Sequence, residues 1–368
     1  MRLSDIVQVF EDWAPSWTAW ERDNVGLQVG DLSRRVSRVL LTLDVTRQTL
    51  AEAIERKADL IVSHHPLLYR PISSLTSDQP LGALVLELAY RRIGVFSAHT
   101  NLDAARGGVS FSLAESLGLS NIRFLSPLKN TMMKIVVFVP ESAVDQMMDA
   151  MVSAGAGRIG EYSSCSFRTK GRGSFRASSS ATPSVGRRGV LESVEEIRLE
   201  MIAPRARTSA VVNALKAAHP YEEVAYDIFP TEIADPNYGM GALGTLEQSL
   251  SLEAFLTRAK RTLGCTHIRY TGNAKSKVRS VAVCGGNGTT LIPDAIAAKA
   301  DVFVTSDLRY HAFHDVHESI ALVDAGHWET ERVILKPIAE RLRGTSHSRG
   351  TPLNIFITKH NTNPIRMI

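Results

Sequence analysis

Cysteine is scarce in this 368-residue chain: Cys165, Cys265 and Cys284 are the only three, far apart and without any Cys-x-x-Cys spacing. Their scarcity argues against a disulfide framework and a thiolate metal site. No apolar run approaches the length of a membrane span. Neither sign of charge dominates, since 42 Lys and Arg against 38 Asp and Glu leave a formal +4. That balance makes no case for a nucleic-acid or membrane partner. The opening residues, Met1-Arg2-Leu3-Ser4-Asp5-Ile6, contain an early acid and no apolar signal core, so a cytoplasmic protein is expected. With 44% hydrophobic residues over this length, there is material for a buried core and for two domains.

What the chain does have is histidine and carboxylate where apolar runs stop. His64-His65 ends Ile61-Val62-Ser63-His64-His65-Pro66, and Asp103 ends Ser97-Ala98-His99-Thr100-Asn101-Leu102-Asp103. His327 and Glu331 follow Ala321-Leu322-Val323-Asp324-Ala325-Gly326; a helix beginning there turns both to one side. Singly, each has an ordinary explanation: a polar loop for the His-His pair, a turn cap for the Asp. Together they share one placement, after the C-terminal end of an expected strand, where open α/β sheets bind ligands. Three imidazoles and two carboxylates exceed what one tetrahedral ion with a water can take. They suit two divalent ions, with Zn, Mn, Fe and Ni all compatible with such nitrogen and oxygen donors. The expected partition is His65 and Asp103 on one ion, His64 and His327 on the other, with Glu331 bridging. Such a centre suits hydrolysis, for which His99 and His311 are candidates for proton transfer or for supporting the ligands; a structural hydrogen bond is the alternative for each.

Apolar patterning outlines the domains. Strands are expected at residues 39–43, 60–62 and 95–96, and helices at 47–57, 81–92 and 109–117. The C-terminal part repeats the style, with strands at 281–283, 302–304, 321–323 and 354–357 and helices at 291–298, 310–319 and 331–341. This alternation implies α/β halves with mostly parallel sheets. The middle differs: strand 132–139, helix 143–152, strand 162–167, strand 194–202, helix 206–218 and strand 224–229 follow the ferredoxin-like order β-α-β-β-α-β. The expected division is therefore an α/β core of residues 1–127 and 244–368 with an α+β domain, 128–243, inserted. Residues 168–190, with six Arg or Lys and no acid, are expected as a loop, either a solvated hairpin tip or an anion-binding flap.

Three further features have two readings each. Gly285-Gly286-Asn287-Gly288-Thr289-Thr290 could cradle a phosphate but lacks a P-loop lysine, leaving a tight turn equally open. His219-Pro220-Tyr221-Glu222-Glu223 is expected as a turn into the last inserted strand rather than a metal site. Asn24 and Asp44 could line a cavity beside the ligands, although Asp44 ends an expected strand, where capping is the ordinary role.

With these residues laid out, the chain resembles the NIF-three-like family, also called the GTP cyclohydrolase 1 type 2 homologs. Asp23-Asn24-Val25-Gly26-Leu27 resembles its N-terminal box. Ser63-His64-His65-Pro66, Thr100-Asn101-Leu102-Asp103 and Asp324-Ala325-Gly326-His327 through Glu331 resemble its metal boxes, and Asp307-Leu308-Arg309-Tyr310-His311 the segment before the last. Gly173-Ser174-Phe175-Arg176, Glu192-Ser193-Val194-Glu195 and His219-Pro220-Tyr221-Glu222-Glu223 resemble the PII-like (CutA-like) insertion of longer members. Ala177 and Ser306 depart from the family's usual proline and glycine, and neither removes a ligand. The resemblance implies a homohexameric ring with two metal ions per subunit. It also implies an activity: a dinuclear-metal-dependent hydrolase, GTP cyclohydrolase-like, acting on a nucleotide or related phosphorylated compound. The alternative is a non-catalytic metal carrier or a regulatory scaffold for the inserted domain.

Overall fold

In the computed structural model, which describes residues 1–316 and 319–366, the chain divides into two compact units. One comprises residues 1–127 and those from 236 onward, the other residues 128–235.

The larger unit contains two sheets. The first joins β1 (Gly26–Val29), β2 (Arg38–Thr42), β3 (Leu60–Ser63), β4 (Gly94–Ser97) and β15 (Asn354–Ile357) in the order β1-β4-β3-β2-β15. All neighbours are parallel except β1, which runs antiparallel at the edge. Every residue of β3 and β4 is buried, as expected of parallel strands covered on both faces. Helix Leu3–Trp13 packs one face through Leu3, Ile6, Phe10 and Trp13, beside helix Leu335–Ser348. Helices Arg47–Glu55 and Pro80–Tyr90 cover the other with Leu50, Ala53, Leu84 and Leu88.

The second sheet has the order β11-β14-β13-β12-β10-β5, where β5 is Ser120–Pro127, β10 Gly239–Ser251, β11 Arg269–Tyr270, β12 Lys277–Asn287, β13 Val302–Ser306 and β14 Ala321–Asp324. Its centre, β12 to β14, is parallel, and the flanking pairs are antiparallel. Helices Val109–Ser116 and Leu252–Leu263 supply one apolar layer; helix Ile292–Ala297 supplies the opposite one. Helices Leu3–Trp13 and Leu252–Leu263 are additions to the expected elements, although both carry buried apolar residues at helical spacing.

The smaller unit consists of β6 (Met132–Val139), helix Val144–Ser153, β7 (Ser166–Arg176), β8 (Leu191–Pro204), helix Thr208–Ala218 and β9 (Tyr226–Pro230). Its antiparallel order β7-β8-β6-β9 is ferredoxin-like. Both helices pack one face, with Met147, Met151, Val211 and Leu215 against Ile135, Val137 and Leu199.

Three expectations are corrected. Residues 168–176 form most of β7 rather than loop, because every residue from Ser166 to Arg176 has a partner on the long β8; pairing overrides the poor strand propensity of the Gly, Ser and Arg there. The insertion ends at residue 235 rather than 243, because Gly239 and Met240 already pair with β5 as part of β10. The helix expected at 310–319 spans Tyr310–Asp315, and residues 317 and 318 lie outside the described residues.

Candidate metal centre

The backbone carries the two histidines just beyond the parallel strands. His64 N and His65 N donate to the Thr42 and Leu43 carbonyls, extending the β2–β3 ladder past Ser63. Asp103 ends the short helix Thr100–Asp103, which follows β4. From the other sheet, β14 ends at Asp324 and the chain turns through Gly326, at φ +89, into helix His327–Glu331. The four-residue spacing places His327 Nε2 3.0 Å from Glu331 Oε1. Thus the C-terminal ends of parallel strands in two different sheets deliver all five expected residues to one place.

The distances show which of these donors stand beside one another. His64 Nε2 stands 3.6 Å from Asp103 Oδ1 and 3.7 Å from Glu331 Oε1, whereas His65 Nε2 stands 2.9 Å from Glu331 Oε2. The His65 and His327 rings are 5.4 Å apart. His64 thus has Asp103 beside it, the His64 and His65 rings are 5.0 Å apart, and the Glu331 carboxylate faces all three imidazoles, Oε1 toward His64 and His327 and Oε2 toward His65. Successive side chains on extended backbone diverge, which sends the adjacent imidazoles to different partners.

Each ring is held from behind through Nδ1. His64 Nδ1 is 2.8 Å from the Ala98 carbonyl, His65 Nδ1 2.8 Å from Asp44 Oδ1, and His327 Nδ1 2.6 Å from Asp307 Oδ2. Donation of the Nδ1 proton to these oxygens leaves the Nε2 lone pair for a cation. His99 is built the same way, its Nδ1 2.9 Å from Asp23. Its ring lies 5.3 and 5.5 Å from those of His64 and His65, and donor atoms of all three lie within 4.8 Å of one another. His65, His327 and Glu331 form a second such group. His311 is not brought in: it is exposed beside Tyr310 and joins no metal-ligating group among the described residues. Asn24 donates to the Leu68 carbonyl and so holds the segment after His65.

Sequence reasoning gave no role to Asp23 or Asp307 and only a cavity position to Asp44. Asp44 and Asp307 follow β2 and β13, so the strand-end rule that found the ligands reaches them too. Asp307 also adopts φ +57, a left-handed conformation that is costly for a side-chain-bearing residue.

Among the described residues four buried side-chain atoms lack a hydrogen-bond partner, and three of them, His64 Nε2, Asp103 Oδ1 and Glu331 Oε2, lie at this centre. Glu331 Oε2 is close to His65 Nε2, yet without hydrogen-bond alignment. Two donors at a tetrahedral angle on an ion with ~2.1 Å bonds stand about 3.4 Å apart, near the 3.6 and 3.7 Å found around His64. The donor set thus fits divalent cations. Burial disfavours charge on His65, but Asp44 and Glu331 outweigh it and raise the imidazole to about 10. His327 is raised to about 10 in the same way, against burial, by Asp307 and Glu331. Burial pushes Asp103 up to about 7, while the surrounding imidazoles hold Glu331 well below the usual carboxylate range despite its burial. The acids demand positive charge here, from protons or from metal ions, and the two compete.

The glycine-rich segment serves this centre as a turn. A Cβ on Gly286 would stand 2.3 Å from Glu331 Oε1, and Gly286 N donates to Thr330 Oγ1 at 3.0 Å. Gly288 N and Thr289 N are bonded to Thr305 and Asn287, so they are already occupied rather than facing a phosphate.

In the smaller unit, Arg168 and Lys170 pair with Asp145 and Glu141, each at 2.9 Å. A cavity of about 830 Å³ on this unit is lined by Arg172, Arg176 and Arg198 but also by Glu196, Glu222 and Glu223. This mixed lining does not make the hairpin a purely cationic flap. His219 forms a turn: Nε2 donates to the Phe138 carbonyl and Nδ1 accepts from Tyr221 N.

A family model described as Duf34/NIF3 (NGG1p interacting factor 3) matches residues 1–364. The chain is 40% identical over 365 residues to a Bacillus subtilis protein named GTP cyclohydrolase 1 type 2 homolog, covering 99% of this chain and 98% of that one. A solved Bacillus cereus protein related to NIF3 superposes with a TM-score of 0.85 at 36% identity, covering 100% of this chain and 99% of that one. A Staphylococcus aureus structure gives 0.82 at 27% identity, with the same coverage.

Proposed function

Because the chain belongs to the Duf34/NIF3 family, we propose that it is a dinuclear-metal-dependent hydrolase acting on a nucleotide or related phosphorylated compound, in the manner of a GTP cyclohydrolase. The observation that carries this reading is the convergence of His64 Nε2, Asp103 Oδ1 and Glu331 Oε2, buried without hydrogen-bond partners. Such an arrangement is costly unless a cation completes it. In this reading His64 and Asp103 would hold one ion and His65 and His327 the other, with the Glu331 carboxylate shared between them. Two divalent ions there (Zn, Mn, Fe or Ni) would make a water acidic enough to attack at neutral pH and would stabilise the charge that develops. Asp44 and Asp307 keep the two imidazoles in the coordinating tautomer and orientation. His99, fixed by Asp23 and set against His64 and His65, would carry a proton to a leaving group or support the ligands. A homohexamer, and a PII-like regulatory part for the ferredoxin-like unit, belong to the same proposal.

The test is turnover of GTP and a nucleotide panel by protein reconstituted with each metal. Hydrolysis lost in His65→Ala and Glu331→Ala, together with about two metal ions per chain in the wild type, supports the assignment. Turnover indifferent to both substitutions refutes it. The separate 830 Å³ cavity of the smaller unit favours one rival, a carrier or sensor that uses the ions without catalysis. No turnover with any metal, combined with metal transfer to an acceptor protein, decides for that rival.

A further inference from the structure

Beside the metal centre, in the larger unit, lies a second cavity of about 610 Å³ that the hydrolytic reading does not use. Its lining includes Arg332, Lys336, Lys359 and His360, and among the described residues no Asp or Glu lines it. Thr358 and Thr362 add hydroxyls, and Trp328 provides an aromatic wall. The basic groups are only loosely neutralised from outside. Lys336 Nζ is 3.9 Å from Glu340, Lys359 Nζ 3.5 Å from Glu55, and His360 Nε2 3.9 Å from Glu52. Arg332 is more firmly placed: it donates to the Leu263 carbonyl at 2.9 Å and stacks 4.8 Å over the Trp328 ring.

Like charges gathered round a concavity without acids repel one another and lower the cost of admitting an anion. A fixed guanidinium, two flexible ammonium groups and hydroxyls are the donor types that recognise phosphate oxygens. A cavity of this volume is in the range that encloses a small metabolite, well beyond a bare phosphate ion. The wall also belongs to the support of the metal centre. Trp328 Nε1 donates to Thr362 Oγ1 at 3.1 Å, and Thr362 donates to Asp44 Oδ2 at 2.6 Å, the carboxylate that orients His65. We propose that this cavity is a binding site for a phosphate monoester of small-metabolite size, distinct from the metal centre and sharing Trp328 with its flank.

The proposal stands apart from turnover and is tested on metal-free full-length protein, which removes phosphate binding at the metals. Calorimetric titration with adenosine monophosphate and with inorganic phosphate, against a chloride control, is expected to give saturable binding, tighter for the ester. The double variant Lys336→Ala/Lys359→Ala is expected to weaken ester binding about tenfold or more. Both lysines are more than half exposed, so the variant is expected to keep the fold. Tryptophan fluorescence should change on binding in the wild type, and Trp328→Phe should abolish that change. No saturable binding above the chloride control overturns the site. So does unchanged affinity in the double variant, which would place the anion elsewhere, including on the histidines of the metal centre. Equal affinity for phosphate and ester overturns the assignment to a monoester.

Discussion

Asp44, Asp307 and Asp23 accept from Nδ1 of His65, His327 and His99 at 2.8, 2.6 and 2.9 Å, which fixes the direction of each ring. Replacing Asp44 or Asp307 by Asn removes the charge that raises the imidazole's basicity. Each substitution is expected to weaken metal affinity about 10- to 100-fold, as read by competition with a chromophoric chelator. His311→Ala, exposed and outside the ligand groups, should leave that affinity unchanged; a loss there, or none in the Asp variants, contradicts the geometry. Gly286 poses a steric question at the same scale. An added methyl would meet Glu331 Oε1 at 2.3 Å on a backbone at φ +62. Gly286→Ala is therefore expected to displace the carboxylate and lower metal stoichiometry from its wild-type value, measured by elemental analysis of folded protein. Full occupancy in that variant would mean that the carboxylate has room to move.

Among the elements, the segment after β15 is tied down by one side chain of helix Arg47–Glu55. Glu52 is 1% exposed, and its carboxylate accepts from Thr358 Oγ1 at 2.7 Å, Lys359 N at 3.1 Å and Arg56 Nε at 2.9 Å. Burial alone would raise its pKa, but these donors outweigh burial and hold it below the usual 4.5. A depressed folded-state pKa contributes stability that is fully present above the unfolded value and is lost as pH falls through the folded one. Glu52→Gln should therefore cost about 1–3 kcal/mol at neutral pH. The gap between wild type and variant should close as pH is taken below about 4.5. Thermal melts from pH 7 to pH 3 measure this, and a gap that persists or widens in acid runs against it. The segment matters to the centre because Thr362, a few residues on, holds Asp44.

For the whole molecule, the inserted unit enters after Pro127 and leaves before Pro236, and its two attachment strands are neighbours. Gly239 and Pro127 are register partners in the β5–β10 ladder, so a short turn can join the cut ends. Deleting residues 128–235 with such a linker should leave a folded α/β unit with its metal stoichiometry intact, since every candidate ligand lies outside the deletion. A soluble, folded deletion variant without metal would show that the insertion supports the centre. Extending the deletion to residue 243 removes most of the β10 residues paired with β5 and also Ala242 and Leu243 from the β12 ladder, so this version is expected to be less stable than the deletion ending at 235.

By itself, the sequence determined what can be read locally. Buried strands β3, β4, β13 and β14 are short continuous apolar runs, and the residues just past three of them are the candidate ligands. The spacing of His327 and Glu331 already implied that they face together, because a helical repeat is a property of neighbours in the chain. Tertiary structure decided the rest. That His327 and Glu331 meet the histidines after β3 depends on how two sheets approach, which no local pattern encodes. The Asp23–His99 pairing, 76 residues apart, is likewise a product of packing. Residues 168–176 became strand only because β8 pairs with them along their length. Gly286 acquired its role from a carboxylate 45 positions away in the sequence. In each case the deciding interaction joins segments distant in the chain, and its energy exists only once the fold has brought them together.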